Sequence, residues 1–572
     1  MIRLCLHRSD LSLAWQPDQH GWRAGCSHVA PFLHPAIEAY AVASEAQTLF
    51  VVRERLHGNG TRRPAPGAAR GFGIRHVRAG ELRKWLAEAE AWPLDSILVL
   101  VSRGGRAGTG TAELRAGSRG TAPVYLVESG DTLWGDWDPV ALYAHMRDRS
   151  LRFDLASHFL ISFGTPYSRQ TLFPRMQRLT ERAHASWGVR AGPAGAARPL
   201  IIAYPPALEP PRPGSAVPSA DVVGAFGALV AWSMRRWIDA GQPAIYSHLS
   251  GGLDSGTVAG VGASLVPGAV HTFGLIMPGS SGAAQQRRRH ALVRRFRFVD
   301  WSWPAVTHLP LTPRSRRVVE HRVVPWEECY VEAFEVLLQR VRARGGQVLF
   351  TGSGGDELTY LQWAELDQEQ RRRLVKEIFV DRARLPSFVT RRAREAYYDT
   401  FRTLDRAPAG AVPSSVFDAS AAVAPLYLSH GIWPVHPLGM AEVYRFCQTL
   451  PAEWRKDRAL ARRLLKHLGC PASMYQPRSH EDFGPVMESS LCGPARPLFE
   501  RLFKTSRLAD LELIDGKRLV RCYEDYCAHG PDARRDTGVQ FYGAAVLELA
   551  LRVLDAAHGA PSAMLAGTPA SR

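Results

Sequence analysis

The chain has 572 residues, of which 46% are apolar and 22% charged, the balance of a globular protein with room for two to four domains at about 150 residues each. Eight scattered cysteines without a CxxC pair exclude a disulfide scaffold and a zinc knuckle, and fit reduced thiols in a cytoplasmic protein. Lys and Arg number 71 against 54 Asp and Glu, a net charge of +17, yet only six of the basic residues are lysines. Selection for nucleic-acid phosphates would accept both residue types. The surplus is therefore read as codon preference expressed on solvated helix faces, such as Arg287–Arg289 and Arg371–Arg373, and no nucleic-acid partner is expected. No run reaches the roughly 18 apolar residues of a membrane span, and Met1–Trp15 lacks the apolar stretch of a secretion signal, so no membrane partner is expected either.

In chain order, residues 1–200 hold short apolar runs, Thr48–Val52, Ser96–Val101 and Pro123–Val127, broken by Gly, Pro and Arg. Helical spacing occurs there at Glu81–Ala91 and Val140–Arg147. This predicts a β-rich layered domain. Residues 201–218, rich in Pro, Gly and Ala, read as a linker. Residues 219–572 have a different texture. Ser219 precedes a predicted helix from Asp221 to Ala240, with apolar spacing at Val222, Phe226, Val230 and Trp232. A strand at Ala244–Leu249 runs into a Gly-rich turn and a helix opening near Ser255. A second strand is predicted at Ala269–Ile276, a helix at Cys329–Arg344, and a third strand at Gln347–Phe350 running into another Gly-rich turn. Alternating strands and helices predict a parallel sheet covered on both faces. From about residue 361 onward the pattern is mainly helical.

The first turn is Ser250-Gly251-Gly252-Leu253-Asp254-Ser255. Two glycines let the backbone approach an anion, and the N–H groups opening the helix favour negative charge. Asp254 would repel a phosphate unless a cation lay between them, which points to Mg²⁺. The second turn, Thr351-Gly352-Ser353-Gly354-Gly355-Asp356-Glu357, also follows a strand, so both can face one crevice, with Asp254 and Asp356 sharing the metal.

The hexapeptide SGGLDS resembles the pyrophosphate loop of the ATP-pyrophosphatase (PP-loop) enzymes, which form adenylates. Paired with GxGGDE about 100 residues later, it is similar to the asparagine synthetase superfamily. Further similarity lies in Gly135–Pro139, Leu155–Leu179, His271–Phe273, Trp326–Glu328, His436–Leu438, Tyr444–Phe446 and Pro477–Gly484. The resemblance implies an α/β and α+β two-domain fold. Its N-terminal part would be an Ntn/glutaminase-like β-sandwich with helices, and its C-terminal part a PP-loop adenylating domain with a parallel sheet and a helical end.

Three departures refine it. The family's glutaminase uses an N-terminal cysteine, whereas this chain has Ile2 and a more distant Cys5, so glutamine is not the expected nitrogen source. Asparagine-forming members carry Glu, and β-lactam synthetases Tyr, where this chain has Ser353. The family's C-terminal lysine falls at His480, beside Arg478. Lost glutaminase chemistry beside an intact adenylating half most resembles the lasso-peptide macrolactam synthetases. That implies ATP and Mg²⁺ as cofactors, a precursor peptide as substrate, and a leader peptidase and leader-recognition protein as partners. An Asp or Glu side chain of the peptide would be adenylated and then attacked by the peptide's own amine. The resemblance assigns nucleotide contacts to His248, Leu249, Ser250–Ser255, Phe273, Leu275 and Gly352, and catalytic roles to Ser353, Glu328, Arg478 and His480, with Glu327 a further candidate for orienting the amine. The alternative is a β-lactam synthetase or an ammonia-dependent, asparagine synthetase-like ligase.

Overall fold

The computed structural model describes residues 1–56, 72–104, 109–189, 197–215, 221–239, 244–378, 384–477, 483–529 and 538–559. The N-terminal part is two stacked seven-stranded sheets. In the first, the central strand Ile2–His7 lies antiparallel between Thr132–Asp136 and Ser27–Pro31, with Leu4 opposite Gly135 and Val29. The second runs Ala197–Ala203, His184–Val189, Gly110–Ala116, Ser96–Arg103, Gln47–Glu54 and Ile37–Ala43, closed by Ile74–His76. Gln47–Glu54 is apolar on both faces for a reason. Phe50 and Val52 join Leu4, Leu6 and Val29 between the sheets, while Leu49 and Val51 pack outward on Leu82 and Ala89 of the helix Ala79–Glu90. Period-two alternation sends neighbouring residues to these two cores.

The C-terminal part is built on a five-stranded parallel sheet in the order Val299–Pro304, Val270–Ile276, Ile245–His248, Val348–Phe350 and Trp433–Val435. Ile245, Val348 and Phe350 enter one core, while Tyr246 and Leu349 enter another with Leu337 and Leu338 of the helix Val331–Ala343. A parallel sheet covered on both faces follows. The fold is the expected combination of an N-terminal β-sandwich with a parallel-sheet α/β domain that ends in helices. The chain builds outward from Ile245–His248 to Val299–Pro304, then returns to the other side with Val348–Phe350. The switch in strand order therefore lies between the two strands that carry the Gly-rich turns.

Several local expectations are corrected. Val140–Arg147 is a 3₁₀ turn over Pro139–His145, because Asp138 captures the N–H of Val140 at 3.1 Å and Pro139 starts it. The strand Ala197–Ala203 runs into the stretch read as linker, pairing with His184–Val189. Trp433–Val435 is a short buried strand inside a region read as helical. The run Arg287–Arg289 is not a solvated face: Arg288 and Arg289 are 5% and 1% exposed. Arg288 donates to Gly251 O at 2.7 Å, and Arg289 pairs with Asp300 at 2.5 Å. Part of the arginine surplus is thus interior wiring. Arg119 grips Glu442 with two bonds of 2.8 and 2.7 Å, and Arg178 reaches Asp418 at 3.1 Å, both joining the N- and C-terminal parts. Planar guanidinium suits such forked contacts better than ammonium does. No helix among the described residues is long and apolar enough to cross a membrane.

Candidate active site

The first turn is folded on itself by its serines. Ser250 N donates to Ser255 Oγ at 3.1 Å, the two hydroxyls meet at 3.0 Å, and Gly252 N donates to Ser250 Oγ at 3.1 Å. Gly251 sits at φ 92°, where a side chain would be strained and its Cβ would lie 2.9 Å from Gln285 O. Gly252 opens the helix Leu253–Leu265 with no capping side chain among the described residues. Its first-turn N–H groups and the positive end of its dipole lie beside the turn, the arrangement that favours a phosphate.

The second turn interlocks with the first. A Cβ on Gly352 would fall 2.6 Å from Ser255 N, and one on Gly355 only 2.3 Å from Asp254 Cγ. Glycine at both places lets the two backbones touch, which brings Asp254 and Asp356 together. Thr351 Oγ1 meets His436 Nδ1 at 2.6 Å and accepts from Ser353 N at 3.2 Å, fixing Ser353 at the crest.

Arg458 bridges the two carboxylates. Its guanidinium bonds Asp254 Oδ2 at 2.9 Å and pairs with Asp356 Oδ1. Its backbone explains the aim: Asp457 and Arg458 are consecutive left-handed residues at φ 52° and 54°, a conformation costing about 1–2 kcal/mol per non-glycine residue. Arg462 holds the bend through Asp457 O and Tyr475 O, both at 2.6 Å. Nothing in the arginine-rich stretch Trp454–Arg463 singled out Arg458 in the sequence. Two carboxylates converging on one positive charge fit a hard divalent cation. Among the described residues no cluster of three or more His, Cys, Asp or Glu is placed to hold a metal. The remaining ligands would come from phosphate and water, as Mg²⁺ sites at nucleotides commonly arrange.

The predicted adenine contacts form the wall beside these turns. His248 Nε2 meets Tyr427 OH at 3.1 Å with Phe334 against its ring. Leu249 N bonds Phe273 O at 2.8 Å, and Leu275 O accepts from Gln285 at 2.8 Å. The Phe273 and Leu275 side chains are buried in the core. Burial holds His436 down to about 4 and His248 to about 3, so both rings stay neutral near pH 7. Unfolded histidine takes up a proton near its ordinary value of 6.5, while folded His436 waits until about 4. Its stabilising share is present above pH 6.5 and is lost as pH falls toward 4. His436→Gln should therefore be less stable than the parent at neutral pH, and the gap in unfolding midpoint should narrow through this window; a constant gap in melts at each pH would refute it.

Beyond the second turn opens a cavity of about 390 Å³ between the N- and C-terminal parts. Tyr125, Phe159, Phe163 and Trp326 give it aromatic walls, and Glu328, Asp418, Arg178 and Ser415 are polar. Ser415 Oγ donates to Glu357 Oε1 at 2.7 Å, tying the cavity to the second turn. The N-terminal part shapes its rim: Trp326 donates to Tyr125 OH at 3.1 Å, and Tyr143 OH donates to Val323 O at 2.8 Å. Burial pushes the carboxyls of Glu328 and Asp418 up, opposed by Arg317 and Arg178 respectively. Such groups can hold or take a proton nearer neutrality than a surface carboxylate. Asp418 and Arg178 were not singled out in the sequence: Asp418 is a lone charge among apolar and small residues, Arg178 one of several charges between Arg175 and Arg182, and their role comes only from their pairing across the two parts. Glu327 also lines the cavity; it is 1% exposed and faces Arg316 and Arg317 at 3.6 and 3.8 Å. Arg478 and His480 lie outside the described residues; the next described residue, Phe483, packs on Tyr330 at 4.2 Å. In the N-terminal part, Cys5 is 6% exposed and burial pushes its thiol up to about 11, which disfavours the thiolate a nucleophile needs.

Residues 225–552 match the asparagine synthase family. No curated protein matches the chain.

Proposed function

The chain belongs to the asparagine synthase family, whose domain forms amide bonds with ATP by adenylation, and from that premise we propose that it closes a macrolactam ring in a ribosomal precursor peptide. The observation that carries this reading is the cavity. At about 390 Å³ it is in the range of roughly 300–1,000 Å³ typical of sites for ligands larger than one amino acid. Its aromatic walls suit a folded peptide better than free aspartate, and its carboxyls suit an amine.

In this reading ATP lies with its phosphates along Ser250–Ser255 and its adenine beside His248, Leu249, Phe273 and Leu275. Asp254 and Asp356 would hold Mg²⁺, which draws charge from the phosphates. Gly352 and Ser353 lie along the reacting carboxyl, which attacks the α-phosphate and releases pyrophosphate. Glu328 and Asp418 receive the peptide's amine and take its proton as it attacks the acyl carbon, and Arg478 and His480 would steady the negative charge. Ring closure is intramolecular in the peptide itself, and holding both ends in reach supplies the orientation, an advantage that reaches about 7–11 kcal/mol in well-oriented reactions. The bound peptide, seated against the aromatic walls, would keep water from the activated acyl group. A leader peptidase and a leader-recognition protein would present the peptide. Ser353, in place of the Glu or Tyr of other members, speaks against the asparagine and β-lactam chemistries.

Incubation with ATP, Mg²⁺ and a core peptide, followed by mass spectrometry, tests the reading. An ATP-dependent loss of one water from the peptide is expected. Turnover of free aspartate and ammonia without any peptide requirement would overturn it in favour of the asparagine-type ligase.

A further inference from the structure

The guanidinium of Arg458 lies between Asp254 and Asp356, with 26% of its side chain exposed, and reaches the Asp254 carboxylate at 2.9 Å. A guanidinium and a divalent cation cannot both occupy the space between the same two carboxylates. Arg458 is also aimed there at a conformational cost, since Asp457 and Arg458 both hold left-handed backbone at φ 52° and 54°. Strain kept at one spot by surrounding bonds marks a position selected for what its side chain does. Asp254 is pinned against Gly355 and is only 18% exposed, so it cannot turn away, whereas the exposed part of Arg458 can move. From these observations we infer that Arg458 is a built-in competitor of the metal. It neutralises the two carboxylates, and it has to leave them for the metal to enter.

The consequence is coupling between two ligands. A guanidinium displaced from two carboxylates needs a new anionic partner, and the triphosphate bound along Ser250–Ser255 supplies one within the same crevice. Nucleotide therefore strengthens metal binding, and metal strengthens nucleotide binding, by the same factor. Metal alone binds weakly, which keeps the site from loading without ATP. The inference rests on Asp254 and Asp356 as metal ligands and not on which peptide is the substrate.

Mn²⁺ binding to the full chain, followed by electron paramagnetic resonance, tests it without any peptide or turnover. Arg458→Met should bind Mn²⁺ in the absence of nucleotide about tenfold more tightly than the parent, within the range by which groups around metal ligands tune affinity. Arg458→Lys, which keeps the charge but loses the fork, should fall between the two. A non-hydrolysable ATP analogue, whose phosphates also ligate the metal, should raise Mn²⁺ affinity by a larger factor in the parent than in Arg458→Met. Asp254→Ala should remove the site in either background. Unchanged or weaker Mn²⁺ binding in Arg458→Met, or an equal nucleotide effect in both proteins, would overturn the inference. Should the Met variant fail to fold by circular dichroism, Arg458→Gln reads the same contrast. The macrolactam reading fails separately, through the peptide assay.

Discussion

Asp254→Ala should lower peptide-dependent ATP–pyrophosphate exchange by about 10²–10³, the scale on which loss of one preorganised electrostatic contact slows a reaction. Asp254 combines three properties that no neighbour duplicates. It opens the helix Leu253–Leu265 beside the phosphate-favouring turn, it is held against Gly355, and it shares a cation with Asp356. Asp254→Asn retains the shape and removes the charge, so an equal loss there would trace the effect to charge. Asp356 is 66% exposed, and Asp356→Asn should cost less, because water can replace part of what it provides. The fold should survive these changes, since Arg458, partly exposed, can turn to solvent. Unchanged exchange in Asp254→Ala, with unchanged melting, would remove the metal role assigned to this residue.

Arg317→Met should cost about 3–5 kcal/mol of folding stability, the usual result of stripping one partner from a buried ion pair. Arg317 is fully buried; its guanidinium takes both oxygens of Glu332 at 3.1 and 2.8 Å and donates to Glu328 O at 2.7 Å. Burial works against its charge, but Glu332, Tyr542 and Glu327 more than offset this and raise its pKa. Without Arg317, Glu332 remains inside with its charge uncompensated, and Glu327 keeps only Arg316 and the more distant Arg322. Arg317→Lys should recover only part of the loss, because one ammonium cannot span the fork and the carbonyl together. Denaturant unfolding measures both. A change under about 1 kcal/mol in Arg317→Met would refute the assignment of this pair as structural. The backbone of Glu328 hangs on the same guanidinium, so the folded variant should also bind peptide less well.

The parts of the site legible in the sequence are those with local causes. Gly251, Gly352 and Gly355 are needed where a Cβ would fall 2.9 Å from Gln285 O, 2.6 Å from Ser255 N and 2.3 Å from Asp254 Cγ, and a Gly-rich turn after a strand announces such close approach. Asp254 was legible because a carboxylate in a phosphate-favouring turn demands a cation. Arg458 was not, since its neighbours Arg455, Lys456, Arg462 and Arg463 offer the same chemistry and only the left-handed bend selects it. Asp418 was hidden for a similar reason: its partner Arg178 is 240 residues away on the opposite half of the molecule. Glu327 and Glu328 look equivalent in sequence and both line the cavity, yet Glu327 is also held by Arg316 and Arg317.

The surplus of arginine shows the same division. Composition alone established that the chain is basic through arginine and has few lysines, and the spacing of strands, turns and helices alone established a parallel-sheet domain with two Gly-rich turns, the first of them anion-favouring. Local sequence determines these because glycine conformation, side-chain periodicity and residue charge act over a few positions. Which arginines are wiring and which are surface, which carboxylate faces the cavity, and which cation meets Asp254 were decided only when the two sandwiched sheets closed on the parallel sheet. Those contacts join residues far apart in the chain, and their strength depends on burial, which no stretch of sequence carries by itself.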